Sequence, residues 1–187
     1  MIYILSLLHI IIITISNILV SIPLEIFNYK LSWAAFVYPL IVVITDLTVR
    51  VLGKEVASKT IYCAFPFAVL LSIFVVYLEH YNIFNALRIG LASACAYGIG
   101  TLIDVHIFQK IREKYDAWWI APILSTIISN IIDTYSFFIV AFYNSTNLYM
   151  KLHWFEIAST LVFVKVIIGA LFFLPLYGII LKRFLRI

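Results

Sequence analysis

The strongest constraint on this chain is a succession of apolar stretches, most of them about 20 residues long. A membrane-spanning helix needs about 20 consecutive, mostly apolar residues. Only 12% of the 187 residues are charged, whereas an ordinary soluble domain carries about 25% charged residues. Half of the usual charge cannot cover the surface of a soluble globule of this size. The sequence therefore predicts an integral membrane protein.

Six apolar stretches divide the chain into predicted spans. They cover residues 2–22, 31–51, 60–78, 86–108, 118–142 and 157–181. The remaining residues are too few for a separate soluble domain, so we expect one transmembrane domain over residues 1–187. Pro39 and Asp46 interrupt the second stretch, which a broken or re-entrant segment would also fit. The predicted fold is all-α, with six transmembrane helices.

The basic residues orient these spans. With six spans, one side carries nine basic residues, which are Arg50, Lys54, Lys59, Lys110, Arg112, Lys114, Lys182, Arg183 and Arg186. The opposite loops carry Lys30 and Lys151. Lysine and arginine concentrate in cytoplasmic loops, so we expect both termini in the cytoplasm. The first stretch has no basic region before it, and we interpret it as a retained helix rather than a signal peptide.

Several classes of protein are disfavoured by what the sequence lacks. It has no glycine-rich phosphate loop of the common NTPase type, and Cys63 and Cys95 offer neither a disulfide framework nor zinc-ligand spacing. The basic residues lie in short loops rather than on one polar face, which argues against nucleic-acid binding. No nucleophile–base motif stands out. We therefore expect a transporter rather than an enzyme, with no catalytic residue, metal or cofactor; a structural subunit remains an alternative.

Five charged residues fall within or at the edges of the apolar stretches, namely Asp46, Arg88, Asp104, Asp133 and Lys165. Each costs about 2.5 to 3.5 kcal/mol at the centre of a membrane helix. Two interpretations are open. The charges can pair inside the bundle and fix the order of the helices, or they can mark a ligand site near the midplane, which is the default hypothesis for such groups.

The fifth stretch carries the densest run of polar residues. Ser125, Ser129 and Asp133 recur every four residues and so share one helical face. Lipid cannot satisfy their hydrogen bonds, so this face must point into the bundle. Polar contacts between helices are one explanation. The addition of Asn130 favours a second, because a carboxylate beside an amide suits an amide-like or guanine-like ring edge.

Four segments, in order along the chain, resemble motifs of the queuosine precursor transporter family, also called the vitamin uptake transporter family. They are Ile44–Gly53 (ITDLTVRVLG), Arg88–Phe108, Trp118–Phe138 and His153–Gly178. Together they cover most of the chain, and the combination is more specific than any single motif. Many members carry Glu where this chain has Arg50, so an acidic role is not transferred to that position.

The resemblance implies uptake of 7-cyano-7-deazaguanine and 7-aminomethyl-7-deazaguanine across the bacterial inner membrane, for insertion into tRNA by other enzymes. The alternative is a substrate-binding membrane subunit for another small polar or vitamin-like molecule, working with a separate ATPase module. A proton gradient, facilitated diffusion and an ATPase are all open as energy sources. A homodimer is open as well.

A deazaguanine edge presents an N–H, an amino group and a carbonyl, and the polar candidates match it. Asp133 can accept from the first two, and Asn130 or Ser125 can complete the edge. Arg88 or Lys165 can donate to the carbonyl. The remaining candidate binding residues are Asp46, Asp104, the first-span Asn17, and Tyr97, Phe137 and Trp119 as stacking aromatics.

Overall fold

The chain is helical almost throughout in a computed structural model, which describes residues 1–20, 23–26, 29–37, 39–80 and 82–184. The helices are α1 (Ile2–Val20), α2 (Ala34–Val37), α3 (Pro39–Leu52), α4 (Lys54–His80), α5 (Ile83–Lys114), α6 (Ile120–Phe142), α7 (Leu148–Ile168) and α8 (Leu174–Phe184). A π-helical segment, Gly169–Phe173, joins α7 to α8. An antiparallel hairpin of β1 (Pro23–Ile26) and β2 (Tyr29–Ser32) is a small departure from the all-α expectation.

Within the described residues, five helical stretches are long and apolar enough to cross a membrane. They are α1, α4, α5, α6 and the continuous helix formed by α7, the π segment and α8, which is 36 residues long between Leu148 and Arg183. They coincide with the first and the third to sixth predicted spans. The prediction of a multi-pass helical membrane protein is therefore confirmed.

The second predicted span differs from a continuous helix. Residues 31–32 belong to β2, and the helical part is divided into α2 and a 14-residue α3. Fourteen residues span about 21 Å, whereas the hydrocarbon core is about 30 Å thick. Pro39 is the first residue of α3, where its missing N–H costs nothing. The expectation of one helix from Leu31 is therefore wrong, because residues 31–32 pair in β2 and the helical residues begin at Ala34.

Helix α5 is the centre of the bundle, with α4, α6 and α3 packed around it. Its glycines permit this close approach. A Cβ at Gly90 would lie 2.6 Å from the Ile73 backbone, and one at Gly98 would lie 2.8 Å from the Phe65 ring. Helix α1 packs on α4, and α7 packs on α6. Small residues thus bring the helices into contact, as is common in membrane bundles.

The C-terminal ends of α3 and α5 meet at one end of the bundle. Gly53 ends α3 with a φ of 88°, a conformation that glycine adopts without steric cost. Arg112 Nη1 of α5 donates to the carbonyl oxygens of Val49 and Arg50 at 3.4 and 3.0 Å. Arg50 in turn donates to the Tyr177 hydroxyl of α8 at 3.3 Å. These contacts fix the end of the short helix α3.

Candidate functional site

A buried polar cluster lies inside the bundle, where side chains of α3, α5, α6 and α7 meet. Its buried members are Asp46, Asp104, Ser125, Ser129, Asn130, Asp133 and Thr134, none more than 6% exposed. Lys165 reaches the cluster from α7. Lipid cannot satisfy these groups, so they bond to one another, to backbone carbonyls of their own helix, as Ser125 and Ser129 do, or to a ligand. The cluster is therefore the candidate site.

An ion pair joins α6 to α7 within this cluster. Lys165 Nζ donates to Asp133 Oδ2 and to Thr134 Oγ1, each at 3.0 Å. Helix α5 approaches closely here, because a Cβ at Gly100 would lie 2.9 Å from the Asp133 Cβ. The pairing expected from the sequence thus forms between these two residues, and it lies directly against the central helix.

Two buried acids, Asp46 of α3 and Asp104 of α5, lie where these two helices pack against each other. The two carboxyl groups lie within hydrogen-bonding reach of each other. Ser129 Oγ donates to Asp104 Oδ1 at 3.3 Å, and Ser125 is also within reach of Asp104. One buried oxygen of each acid, Asp46 Oδ1 and Asp104 Oδ2, has no hydrogen-bond partner. Neither acid forms an ion pair within the part of the chain that the structure describes.

Two cavities border these groups. A polar pocket of about 200 Å³ is lined by Val42, Gly100, Thr101, Asp104, Ser129, Asn130 and Asp133. An apolar groove of about 480 Å³, counting its open part, runs between α3, α6 and the π segment. Val42 lines both cavities, and Asp46 lines the groove. These volumes include space open to the surroundings, and the room for water-sized spheres inside the polar pocket is only about 10 Å³. That is space for about one water molecule, so the polar pocket alone is too small for a two-ring base.

Six of the eleven residues singled out from the sequence come together in the cluster. They are Asp46, Asp104, Ser125, Asn130, Asp133 and Lys165. The other five, Asn17, Arg88, Tyr97, Trp119 and Phe137, line neither cavity. The structure thus retains the polar part of the predicted site and separates it from its proposed aromatic partners.

Arg88 lies at the end of α6 rather than in the cluster. Its guanidinium donates to the carbonyl oxygens of Val140 and Asn144 at 3.1 and 3.5 Å, and also to that of Tyr143. The last carbonyls of a helix have no partner within that helix, so Arg88 caps α6. It precedes Asp104 by sixteen residues of α5, or about 24 Å. The structure therefore does not bring Arg88 to the site.

Tyr97 and Asn17 make hydrogen bonds between helices. The Tyr97 hydroxyl lies 3.0 Å from His9 Nδ1 of α1. Asn17 donates through Nδ2 to Ser72 Oγ at 2.7 Å and accepts from Ser93 Oγ at 3.2 Å, which links α1, α4 and α5. Both side chains are engaged in holding helices together, so Tyr97 does not present its ring to a ligand.

The other two aromatic candidates also point away from the cavities. Trp119 is 47% exposed at the start of α6, as expected for an aromatic residue near a membrane surface. Phe137 packs edge-on against Phe138 and Phe142 of its own helix. Neither ring therefore faces the polar cluster.

Two aromatic residues that the sequence did not single out line the groove instead. Phe173 belongs to the π segment and Tyr177 to α8. Tyr177 is buried, and its hydroxyl accepts from Arg50. Both lie in an apolar run, and the only indication of them was their place in the family-like segment His153–Gly178. Thr101 of α5 was missed as well, although it lines the polar pocket.

These features define a multi-pass helical membrane protein with a cluster of buried polar side chains between its helices. Among the described residues, no three His, Cys, Asp or Glu side chains are grouped as a metal site. The sequence model of the family described as "Putative vitamin uptake transporter" matches residues 32–180. The chain belongs to this family of uptake transporters, as the resemblance predicted.

Curated relatives share almost the full length of the chain. The "Queuosine precursor transporter" of Escherichia coli K12 is 40% identical over 97% of this chain and 87% of its own. The "Probable queuosine precursor transporter" of Haemophilus influenzae Rd is 35% identical over the same shares. No solved structure matches the chain significantly.

Proposed function

We propose that this chain imports queuosine precursors, 7-cyano-7-deazaguanine and 7-aminomethyl-7-deazaguanine, into the cytoplasm for tRNA modification. The observation that carries the proposal is the full-length similarity to transporters named for queuosine precursors. The buried polar cluster supports it, because a membrane bundle that only holds itself together has little need of three buried aspartates. No finding favours a subunit dependent on a separate ATPase.

The substrate edge is proposed to bind at the polar pocket. Asp133 and Asn130 line that pocket and can accept from the amino group and N–H of a deazaguanine while the Asn130 amide donates. Lys165, already bound to Asp133, supplies a donor for the ring carbonyl. Charged partners make such hydrogen bonds stronger than neutral ones. Asp133, Asn130 and Lys165 thus together offer a partner for each donor and acceptor on the hydrogen-bonding edge of the deazaguanine.

The bicyclic ring is proposed to lie in the apolar groove beside Phe173 and Tyr177. Aromatic side chains favour stacked or edge-on contact with a flat ring. Because Val42 of α3 lies between groove and polar pocket, a substrate that uses both requires α3 to shift. The arrangement is therefore proposed to be a closed state for a substrate of this size, and α3 is the helix proposed to open it.

Six crossings with both termini cytoplasmic are proposed, in the bacterial inner membrane. The nine-to-two distribution of basic residues supports this orientation. The contacts of Arg112 with the end of α3 support it further, because they put two predicted cytoplasmic loops at one end of the bundle. The hairpin, α2 and α3 would form the remaining, broken crossing, and discontinuous helices often carry the substrate sites of transporters.

The test is complementation in bacteria that can neither make the deazaguanine nor import it. The base is supplied at low concentration, and queuosine is measured in tRNA. We expect the wild-type chain and Asp116→Asn, in an exposed loop, to restore queuosine. Asp133→Asn should still insert into the membrane but fail to restore queuosine, and it is compared with the wild-type chain at equal amounts of membrane-inserted protein. Equal queuosine with the wild-type chain and with an empty vector would reject the proposed function.

A further inference from the structure

We propose that Asp46 and Asp104 together bind a single proton at the contact between α3 and α5, and that this proton moves inward with the substrate. The inference rests on the proposed function and adds its source of energy. The bound species is a proton rather than a metal ion, because the two acids come without a third ligand among the described residues.

The geometry leaves a place for one proton. Both acids are buried, Asp46 at 2% and Asp104 at 1% exposure, and their carboxyl groups are in reach of each other. Asp46 Oδ1 and Asp104 Oδ2 lack a hydrogen-bond partner. Buried polar atoms are otherwise almost always hydrogen-bonded. A proton on one carboxyl group would provide the donor that the adjoining carboxylate lacks.

Electrostatics favours one proton over none or two. Two ionised carboxylates in contact repel each other strongly in a medium of low dielectric constant. Ser129 donates to Asp104, which stabilises a negative charge there. No side-chain donor reaches Asp46 within the described part of the chain. We therefore assign the proton to Asp46 and the remaining charge to Asp104.

The other charged and titratable groups around the pair are engaged elsewhere. Arg50 donates to Tyr177, and Arg112 donates to backbone carbonyls at the end of α3. Lys165 is paired with Asp133. From the remaining helices, His9 of α1 bonds to Tyr97, His106 of α5 bonds to a backbone carbonyl, and Lys54, Glu55 and Lys59 of α4 are exposed. No ion pair therefore replaces the proton in the described structure.

The pair connects protonation to movement of the substrate. Asp46 lines the groove and Asp104 lines the polar pocket, so a substrate that spans both cavities meets both acids. Without a proton, repulsion between the carboxylates opposes the packing of α3 on α5. With one, the pair carries a single charge, which the N–H donors of the substrate can solvate. Proton and substrate thus favour the same closed state.

Infrared spectroscopy tests the proton directly. A protonated carboxyl group has a carbonyl-stretching band that ionised carboxylates lack. We expect this band in the purified wild-type protein at pH about 7, where carboxyl groups with an ordinary pKa of about 4 are ionised. Asp46→Asn should remove it, whereas the exposed control Asp116→Asn should retain it. Absence of the band from the wild-type protein would overturn the inference.

Transport in proteoliposomes tests the coupling. With 7-cyano-7-deazaguanine as the probe, the wild-type protein should accumulate severalfold more substrate when the outside is acidic than without a gradient. Asp46→Asn, which mimics the protonated state, should still exchange labelled for unlabelled substrate but lose this accumulation. Asp116→Asn should behave as wild type.

The outcomes separate the two proposals. Wild-type exchange with no response to the gradient would overturn the proton inference and leave the transport function standing. Absence of exchange by the wild-type protein would reject transport of this substrate, and the coupling with it. If Asp46→Asn fails to fold, the wild-type response to the gradient and the infrared band of the wild-type protein decide.

Discussion

Lys165 lies in a largely apolar run of α7, and its ammonium group bridges to α6. It bonds to Asp133 and Thr134, and its side chain is 17% exposed. Removing one partner of a buried ion pair leaves an uncompensated charge, whereas replacing both partners with neutral groups is often tolerated. The loss of stability on substituting Lys165 or Asp133 therefore depends on whether the partner on the other helix is still charged.

Lys165→Met is expected to destabilise the protein by about 3 kcal/mol and to abolish uptake. Asp133→Asn combined with Lys165→Met should recover much of the stability without recovering uptake, because the charge is gone but the substrate contacts are not restored. Thermal unfolding in detergent and queuosine complementation are the measurements. Lys151→Met, exposed on the same helix, is the matched control. A double variant less stable than Lys165→Met would contradict the pairing argument.

Gly100→Ala should push α5 and α6 apart. The new methyl group would lie 2.9 Å from the Asp133 Cβ, which is closer than two carbon atoms can pack, so one of the two helices must shift. Overpacking of this kind costs about 1 to 3 kcal/mol, and a corresponding loss of thermal stability and of uptake is expected. Gly169→Ala is the control, because its methyl group meets Thr126 at an ordinary 3.6 Å. Equal stabilities of the two variants would refute the steric argument.

The charged residues of the cluster could be predicted, because a charged side chain in a membrane-spanning segment is costly unless it has a partner or a function. Asp46, Asp104, Asp133 and Lys165 therefore stood out from sequence alone. The aromatic residues of the groove could not be predicted, because an apolar ring is equally stable against lipid, against the core and against a ligand. Tyr97 looked suited to stacking, yet its hydroxyl is bonded to His9.

At the level of elements, Arg88 shows how a charge near a predicted span end can belong to a neighbouring helix. Its three acceptors all lie in the last turn of α6 or just beyond it. The positive side chain also suits the negative end of the helix dipole. The sequence could not reveal this role, because the partners are more than 50 residues away along the chain.

Arg88→Met is therefore expected to lower the free energy of unfolding by about 1 to 3 kcal/mol, the cost of leaving carbonyls without a donor. The KM for deazaguanine uptake by the folded fraction should stay unchanged. Melting temperature and concentration-dependent uptake are measured together, with the exposed Lys110→Met as control. A severalfold rise in KM at unaltered stability would instead favour a substrate contact.

Long helices were predictable from length and hydropathy, but their interruptions were not. Residues 31–51 read as one apolar stretch, and the structure divides it among β2, α2 and α3. Pro39 predicts that a helix does not continue through the residue before it, but it does not predict the structure of the preceding segment. No sequence pattern indicates the π segment Gly169–Phe173. Such segments often occur at functional sites. Here it lines the groove.

At the scale of the whole molecule, arginine contacts agree with the order of loops expected from charge. Arg112 at the end of α5 and Arg50 at the end of α3 meet at one end of the bundle. Arg88 at the start of α5 meets the end of α6 at the other end. In the described part of the chain, five helices are long enough to cross the membrane. The side on which the hairpin lies therefore depends on whether α2 and α3 complete a sixth crossing.

Cysteine labelling distinguishes five crossings from six. In a chain whose native cysteines are replaced, we expect an impermeant maleimide to label Asn144→Cys and the hairpin variant Lys30→Cys in intact spheroplasts. Asp116→Cys should react only after permeabilisation, because basic residues hold the α5–α6 loop in the cytoplasm. Labelling of Lys30→Cys that requires permeabilisation would mean that α2 and α3 re-enter the membrane from the cytoplasmic side. The N-terminus would then lie outside the cytoplasm, and Asp46 would be carried on a re-entrant segment.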